Sequence, residues 1–177
     1  KRDANCRRSN QGQRYCIQTH SWNKRTYFQL IEFNDKEIEF LNSIEEARIA
    51  TSHNDVPHVK PVSFVYDDGV ILVATDYDTR TFTNIKINSN TGIVMDIYKS
   101  GSHKAICIQG KSEIIEKGEK FEKYYNIFYK KFEWVRKDPW KENEAPFLRI
   151  IPKNKVSWGI KWKDIIQLKG IYRIKIK

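Results

Sequence analysis

The chain has 177 residues, of which 40% are hydrophobic and 31% charged, a balance that suits one globular domain with its own core and excludes a disordered chain. No apolar run approaches the length of a helix that spans a bilayer. The formal net charge is +10, but residues 1–31 hold seven Lys/Arg against one acid and residues 153–177 hold eight against one, around a slightly acidic body, which disfavours a dedicated nucleic-acid face and leaves salt-dependent, non-specific polyanion binding by the ends as the weakest reading.

Residues 1–31 are polar and lack periodicity, so we read them as a basic N-terminal tail or extension, with 27–33 as a candidate edge strand. A single domain is expected over 32–177. Asn34 offers a helix N-cap, Glu37 stands three residues on to return the hydrogen bond, and Phe33 with Ile38 occupy the staple positions. Ile38, Leu41 and Ile44 fall at helical spacing and are expected in the core, and the helix is expected to end near Glu46.

A β region follows. Residues 47–51 predict a short strand, 53–55 a turn, 58–66 a second strand, and Asp67-Asp68-Gly69 a hairpin turn. The run VILVAT, 70–75, is nearly continuously aliphatic and is expected to be buried on both faces. Residues 79–88 predict a short helix with Phe82 and Ile85 turned inward. Strands are expected over 92–98 and 104–116, with Gly110 marking a bulge or a close backbone approach and Cys107 acting as a small core hydrophobe. Phe121, Tyr125, Phe128, Phe132 and Val135 recur every three or four residues and predict one long helix over 118–135, stopped by Pro139, with the aromatic stripe as packing. A last strand lies within 145–160. Short strands with helices outside them, and no βαβ alternation, predict an α+β, mainly β fold: a small closed barrel.

The cysteines are Cys6, Cys16 and Cys107. Their odd number and spacing fit neither a zinc site nor a disulfide framework, and the start is polar and basic rather than a secretory signal, so a reducing, cytoplasmic setting is expected. His53 and His58 have no third ligand nearby, and no metal is expected.

The chemistry gathers at one junction, where Asp78, Thr79, Arg80 and Thr81 leave a strand and open a helix. A helix start presents unpaired N–H groups and the positive end of the macrodipole. Arg80 adds a cationic fork and the threonines add hydroxyls, which together suit a phosphate. Arg80 alternatively pairs with Asp76 or Asp78 at the surface, and Lys60 alternatively points outward from its strand.

Over about residues 40–158 the chain resembles the pyridoxamine 5′-phosphate oxidase-like family. The likeness rests on ARIAT, PHVKPVSFVYDDG, ATDYDTRTFTNIKIN followed by GIVMD, then ICIQGKSEII and FLRIIPKNKVSWG, in that order. It implies a flavin-binding split β-barrel of about six antiparallel strands with flanking helices, forming a homodimer with the cofactor at the subunit interface. It implies an FMN-dependent oxidoreductase that moves a hydride between flavin and an unidentified small molecule, with deazaflavin as the alternative cofactor. The cofactor contacts it implies are Lys60 toward the phosphate, Pro61, Val62 and Ser63 along the ring system, Thr75 and Asp76 beside the ribityl chain, Thr79, Arg80 and Thr81 at the phosphate, and Trp158 near the cleft. The family's Arg-Lys pair is Arg80-Thr81 here, so one positive charge is missing, and Lys60 and Lys86 stand as substitutes without the bidentate fork. The basic substrate-phosphate motif of a pyridoxamine-phosphate oxidase is not seen after Trp158, so that substrate is not implied. No catalytic side chain is implied, since the cofactor carries the hydride chemistry. The rival class is a non-enzymatic flavin- or haem-binding barrel.

Overall fold

The computed structural model describes residues 31–160 and the backbone of two short antiparallel strands, β1 (Cys6–Arg8) and β2 (Arg14–Cys16). The expected strand over 27–33 lies mostly outside the described residues, and 31–34 carry no regular structure.

The capping box forms as its residues predict. Asn34 Oδ1 accepts the N–H groups of Lys36 and Glu37 at 3.0 and 3.1 Å, and Glu37 Oε2 accepts Asn34 N–H at 3.0 Å, starting α1 (Asp35–Ser43). Two expectations are corrected here. The helix stops before Glu46, which opens the next strand. Its buried face is Glu37, Phe40 and Leu41, while Ile38 and Ile44 are only half-buried. The roll follows from Glu37, whose carboxylate turns inward to Lys155 Nζ and, at 2.7 Å, to Ser157 Oγ.

Six strands close the barrel: β3 (Glu46–His53), β4 (Val56–Asp67), β5 (Val70–Ala74), β6 (Asn90–Ile97), β7 (Lys104–Ile115) and β8 (Phe147–Trp158). All neighbours are antiparallel, in the order β3-β4-β5-β8-β7-β6 and back to β3. The helix α2 (Arg80–Ile87) links β5 to β6, and α3 (Glu119–Lys131) with α4 (Glu133–Lys137) link β7 to β8. The fold class is therefore the expected barrel with flanking helices. Both early hairpins turn through two residues of positive φ, Asn54 and Asp55 at 51° and 60°, then Asp68 and Gly69 at 45° and 82°, the backbone twist that tight hairpins need.

Strand alternation separates two cores. Ile49, Val62, Phe64, Ile71, Val73, Met95, Ile106, Ile108, Leu148 and Ile150 fill the barrel together with Phe40 and Leu41 of α1. On the outside, Val65, Val70 and Leu72 pack under Phe121, Tyr124, Phe128, Phe132 and Val135. Thus β5 is buried on both faces, and the aromatic stripe is packing. The single long helix is corrected to two, because the backbone at Phe132 is extended (φ −109°, ψ 128°). At the break, Lys131 Nζ donates to the carbonyls of Ile44 and Phe64 at 3.0 and 3.2 Å, over the rings of Phe64 and Phe132. Burial lowers the Lys131 pKa. Cys107 is also corrected. Ile106 and Ile108 take the interior, so Cys107 sits half-exposed on the outer wall, where partial burial, and Asp96 after it, raise its thiol pKa.

Two features shape the barrel ends. The β7–β8 register shifts at Gln109/Gly110, and a Cβ on Gly110 would lie 2.4 Å from the Ile151 carbonyl oxygen, so the close approach expected there is present. The strand β5 is short. It pairs only with Phe64–Asp67 of β4 and with residues 147–150 of β8, so residues 56–63 of β4 and 151–158 of β8 run on without β5 beside them.

Candidate functional site: the corner between β5 and α2

Beyond Ala74 the chain leaves β5 and turns into α2. Thr75 N–H donates to the Pro146 carbonyl at 3.2 Å, which pins the corner to the start of β8. Thr79 is the N-cap. Its hydroxyl accepts Phe82 N–H at 3.2 Å and donates to the Asp76 carbonyl at 2.8 Å. Thr75 Oγ1 lies 3.0 Å from Thr79 Oγ1. Since the Thr79 proton is committed to Asp76, Thr75 donates in that pair. Lys60 Nζ donates to Thr75 Oγ1 at 3.5 Å. One directed chain results: Lys60 to Thr75 to Thr79 to the Asp76 carbonyl.

Lys60 reaches the corner because of its register. It pairs with Ile49 and shares strand parity with Val62 and Phe64, which face the interior, so it lies half-buried at the barrel mouth rather than pointing outward. Pro61 is exposed on the outer wall and Ser63 shares its parity, while Val62 is buried in the core and offers a ligand only its backbone. Asp76 and Arg80 are exposed. Among the described residues, Arg80 forms no ion pair, so the surface pairing with Asp76 or Asp78 is not present. Thr81 is fully buried, and its Oγ1 has no hydrogen-bond partner. Trp158 lies apart. It ends β8, whose first residue is the one beside Ala74. There it is 41% exposed, and its Nε1 donates to His103 Nδ1 at 3.4 Å.

The helix is fastened to β3 by groups that sequence reading missed. Asn84 Nδ2 donates to Thr51 Oγ1 at 3.0 Å in a buried contact, and Asn88 Nδ2 donates to the Ser52 carbonyl at 3.2 Å. The signal was available: Asn84 sits between Thr81 and Ile85 on the inward face, and an inward amide needs a partner. Thr81 lacks one. Thr81→Val is therefore expected to stabilise the ligand-free protein by about 1 kcal/mol, because it removes an unpaired buried hydroxyl from the same shape. Urea unfolding of the two proteins checks this, and a loss of stability would mean that the hydroxyl is satisfied.

A cavity of about 260 Å³ opens beside the corner, lined by Thr75, Asp76, Trp134, Asp138, Trp140 and Glu144. A separate hollow of about 500 Å³ on the outer wall, lined by Pro57, Gly92, Gln109, Lys111 and Asn154 among others, shares no residue with the corner. Among the described residues no group of three or more His, Cys, Asp or Glu is placed to hold a metal, and no helix is long and apolar enough to cross a membrane.

Fold and corner together define a small antiparallel barrel whose mouth carries a capped helix start. The pyridoxamine 5′-phosphate oxidase family model matches residues 33–161, and the chain belongs to that family. No curated protein matches the sequence. Solved structures share the fold at low identity. The conserved hypothetical protein Rv2991 of Mycobacterium tuberculosis is 18% identical with a TM-score of 0.61, over 84% of this chain and 95% of that one. HutZ, the heme storage protein of Vibrio cholerae, is 16% identical with a TM-score of 0.60, over 67% and 89%. A FAD-binding protein of Mesorhizobium loti is 16% identical with a TM-score of 0.55, over 67% and 87%.

Proposed function

We propose that this chain is a flavin-dependent oxidoreductase that moves a hydride between FMN and a small molecule, with the cofactor phosphate at the start of α2. The observation that carries this reading is the Lys60–Thr75–Thr79 chain, which ends at a capped helix start beside an Arg80 that has no ion pair among the described residues. The cap takes Phe82 N–H, which leaves the first helical N–H groups, those of Arg80 and Thr81, to an incoming anion. Lys60 and Arg80 neutralise it from two elements. When bound, the flavin supplies the hydride chemistry. The protein's part is to hold the phosphate, to lay the ring along the backbone of residues 60–63, which β5 does not pair, and to exclude water.

The rest of the reading concerns assembly. Two copies form a homodimer with the cofactor between them, and Trp158, absent from the corner of its own protomer, reaches the ring from the other. Residues 32–177 form the domain, 1–31 are an extension, and the protein works in the cytoplasm. The FAD-binding relative of Mesorhizobium loti supports a flavin. The second reading, a barrel that holds its ligand without turnover, is favoured by Thr81, whose position lacks the second cation of the resemblance, and by the likeness to a heme storage protein.

The test is a titration of the purified protein with FMN and with riboflavin. FMN is expected to bind about tenfold tighter or more, a gap of about 1.4 kcal/mol. Equal affinities would remove the phosphate from the corner, and uptake of haem with no flavin binding would favour the second reading.

A further inference from the structure

We infer that the cavity between Thr75 and Trp134 binds a small organic cation, an alkylammonium ion whose charge is wrapped in carbon. The site goes beyond the flavin reading, and neither depends on the other. Its wall is aromatic and assembled before any ligand arrives. Trp134, 43% exposed, stacks on Trp140 with ring centroids 5.7 Å apart and planes within 6°. Trp140 is in turn held against Tyr125 at 5.2 Å and Phe147 at 5.7 Å. Both indoles line the cavity. Indole attracts cations better than the other aromatic side chains, through the negative charge of its π system. A wall already fixed by its neighbours loses little side-chain freedom on binding.

The polar lining sets the sign of the ligand's charge. Asp76, Asp138 and Glu144 line the same cavity, and no lysine or arginine does, against the trend of a chain with a net charge of +10. Asp76 and Asp138 form no ion pair among the described residues. Glu144 Oε2 accepts the backbone N–H of Lys141 at 2.7 Å, which leaves its net charge in place. Such a lining repels a phosphate or a carboxylate. A metal ion does not suit it either, because among the described residues no three acidic or imidazole groups converge to ligate one. An organic cation needs only the field of the carboxylates and an aromatic surface on which to shed water. A compact primary ammonium holds its water strongly, so a cation shielded by methyl groups is the better match. The volume of about 260 Å³ suits a headgroup of a few carbons rather than a drug-sized molecule. The indole N–H of Trp140 is shielded from solvent and has no acceptor. An oxygen carried by the same ligand, as in a hydroxyalkylammonium ion, would supply one.

Choline titrated against the full chain tests this, beside its uncharged tert-butyl analogue, in which carbon replaces the nitrogen. Sodium chloride holds the ionic strength, and ligand-detected NMR reads the methyl signal of either probe. Choline is expected to bind saturably and about tenfold tighter than the analogue or more. Trp134→Ala should weaken choline by about tenfold. Asp138→Asn, a change at an exposed residue, should weaken it by about threefold or more while leaving the analogue unchanged, which a loss of packing would not do. Equal affinity for the two probes, no saturable choline binding, or parent-like choline affinity in both variants would overturn the inference. The FMN titration reads the α2 corner separately, so failure of either site leaves the other standing.

Discussion

Glu37→Ala is expected to lower the unfolding free energy by about 3–5 kcal/mol, the cost of removing one partner from a buried ion pair. Glu37 is 2% exposed, and its two oxygens serve three donors: Asn34 N–H, Lys155 Nζ and Ser157 Oγ. The substitution removes the helix cap's return bond and the tie from α1 to β8 together. The low end of the range is favoured, because Lys155 keeps the Glu32 carbonyl at 2.8 Å and the Phe33 ring at 4.6 Å. Urea unfolding measures the difference, and a loss below about 1 kcal/mol would mean that the tie is dispensable. The pH dependence carries a sign. Burial raises the Glu37 pKa, but hydrogen bonds from Lys155, Ser157 and the Asn34 backbone outweigh it, and the net value falls below the usual 4.5. The stabilisation is therefore complete above pH 4.5 and is lost as pH falls through the lowered folded value. The gap between the parent chain and Glu37→Gln should narrow in acid and nowhere else.

The second large effect is on binding. Arg80→Ala is expected to weaken FMN by about 1–3 kcal/mol, roughly five- to 150-fold, the range for a charge-assisted contact to phosphate. Folding stability should stay within about 0.5 kcal/mol, because Arg80 is exposed and has no ion pair to lose among the described residues. Arg80→Lys should fall between the two, keeping the charge and losing the fork. Isothermal titration at fixed ionic strength reads the effect, and unchanged affinity would mean that Arg80 does not touch the phosphate.

The fold was legible wherever one local rule governed. Asn34 with Glu37 marked the first helix, the DDG turn marked the hairpin, and VILVAT announced a strand covered on both sides. The misreadings share a cause. The roll of α1 is set by Glu37 meeting Lys155 and Ser157, more than a hundred residues away in sequence, and no local spacing encodes that meeting. The break at Phe132 has the same character, since the neighbouring Lys131 is anchored by the carbonyls of Ile44 and Phe64. At the corner, Thr79 and Arg80 were legible from cap chemistry. That Lys60 would reach Thr75 was not, because it depends on β4 continuing past the end of β5. The Trp134–Trp140 wall escaped notice for a similar reason: Trp134 follows the helix break and Trp140 follows Pro139, so neither falls on the regular stripe.

The brevity of β5 has a further consequence. A strand length with no neighbour invites other chains to add to the sheet, and that is a route to precipitation. Here the exposed margin of β4 carries prolines, Pro57 and Pro61. Proline has no N–H to offer, and because β4 keeps its full ladder with β3, Pro57 and Pro61 place that missing donor on the unguarded side. Past the end of β5, the rim of β4 therefore gives a stray strand little to bind.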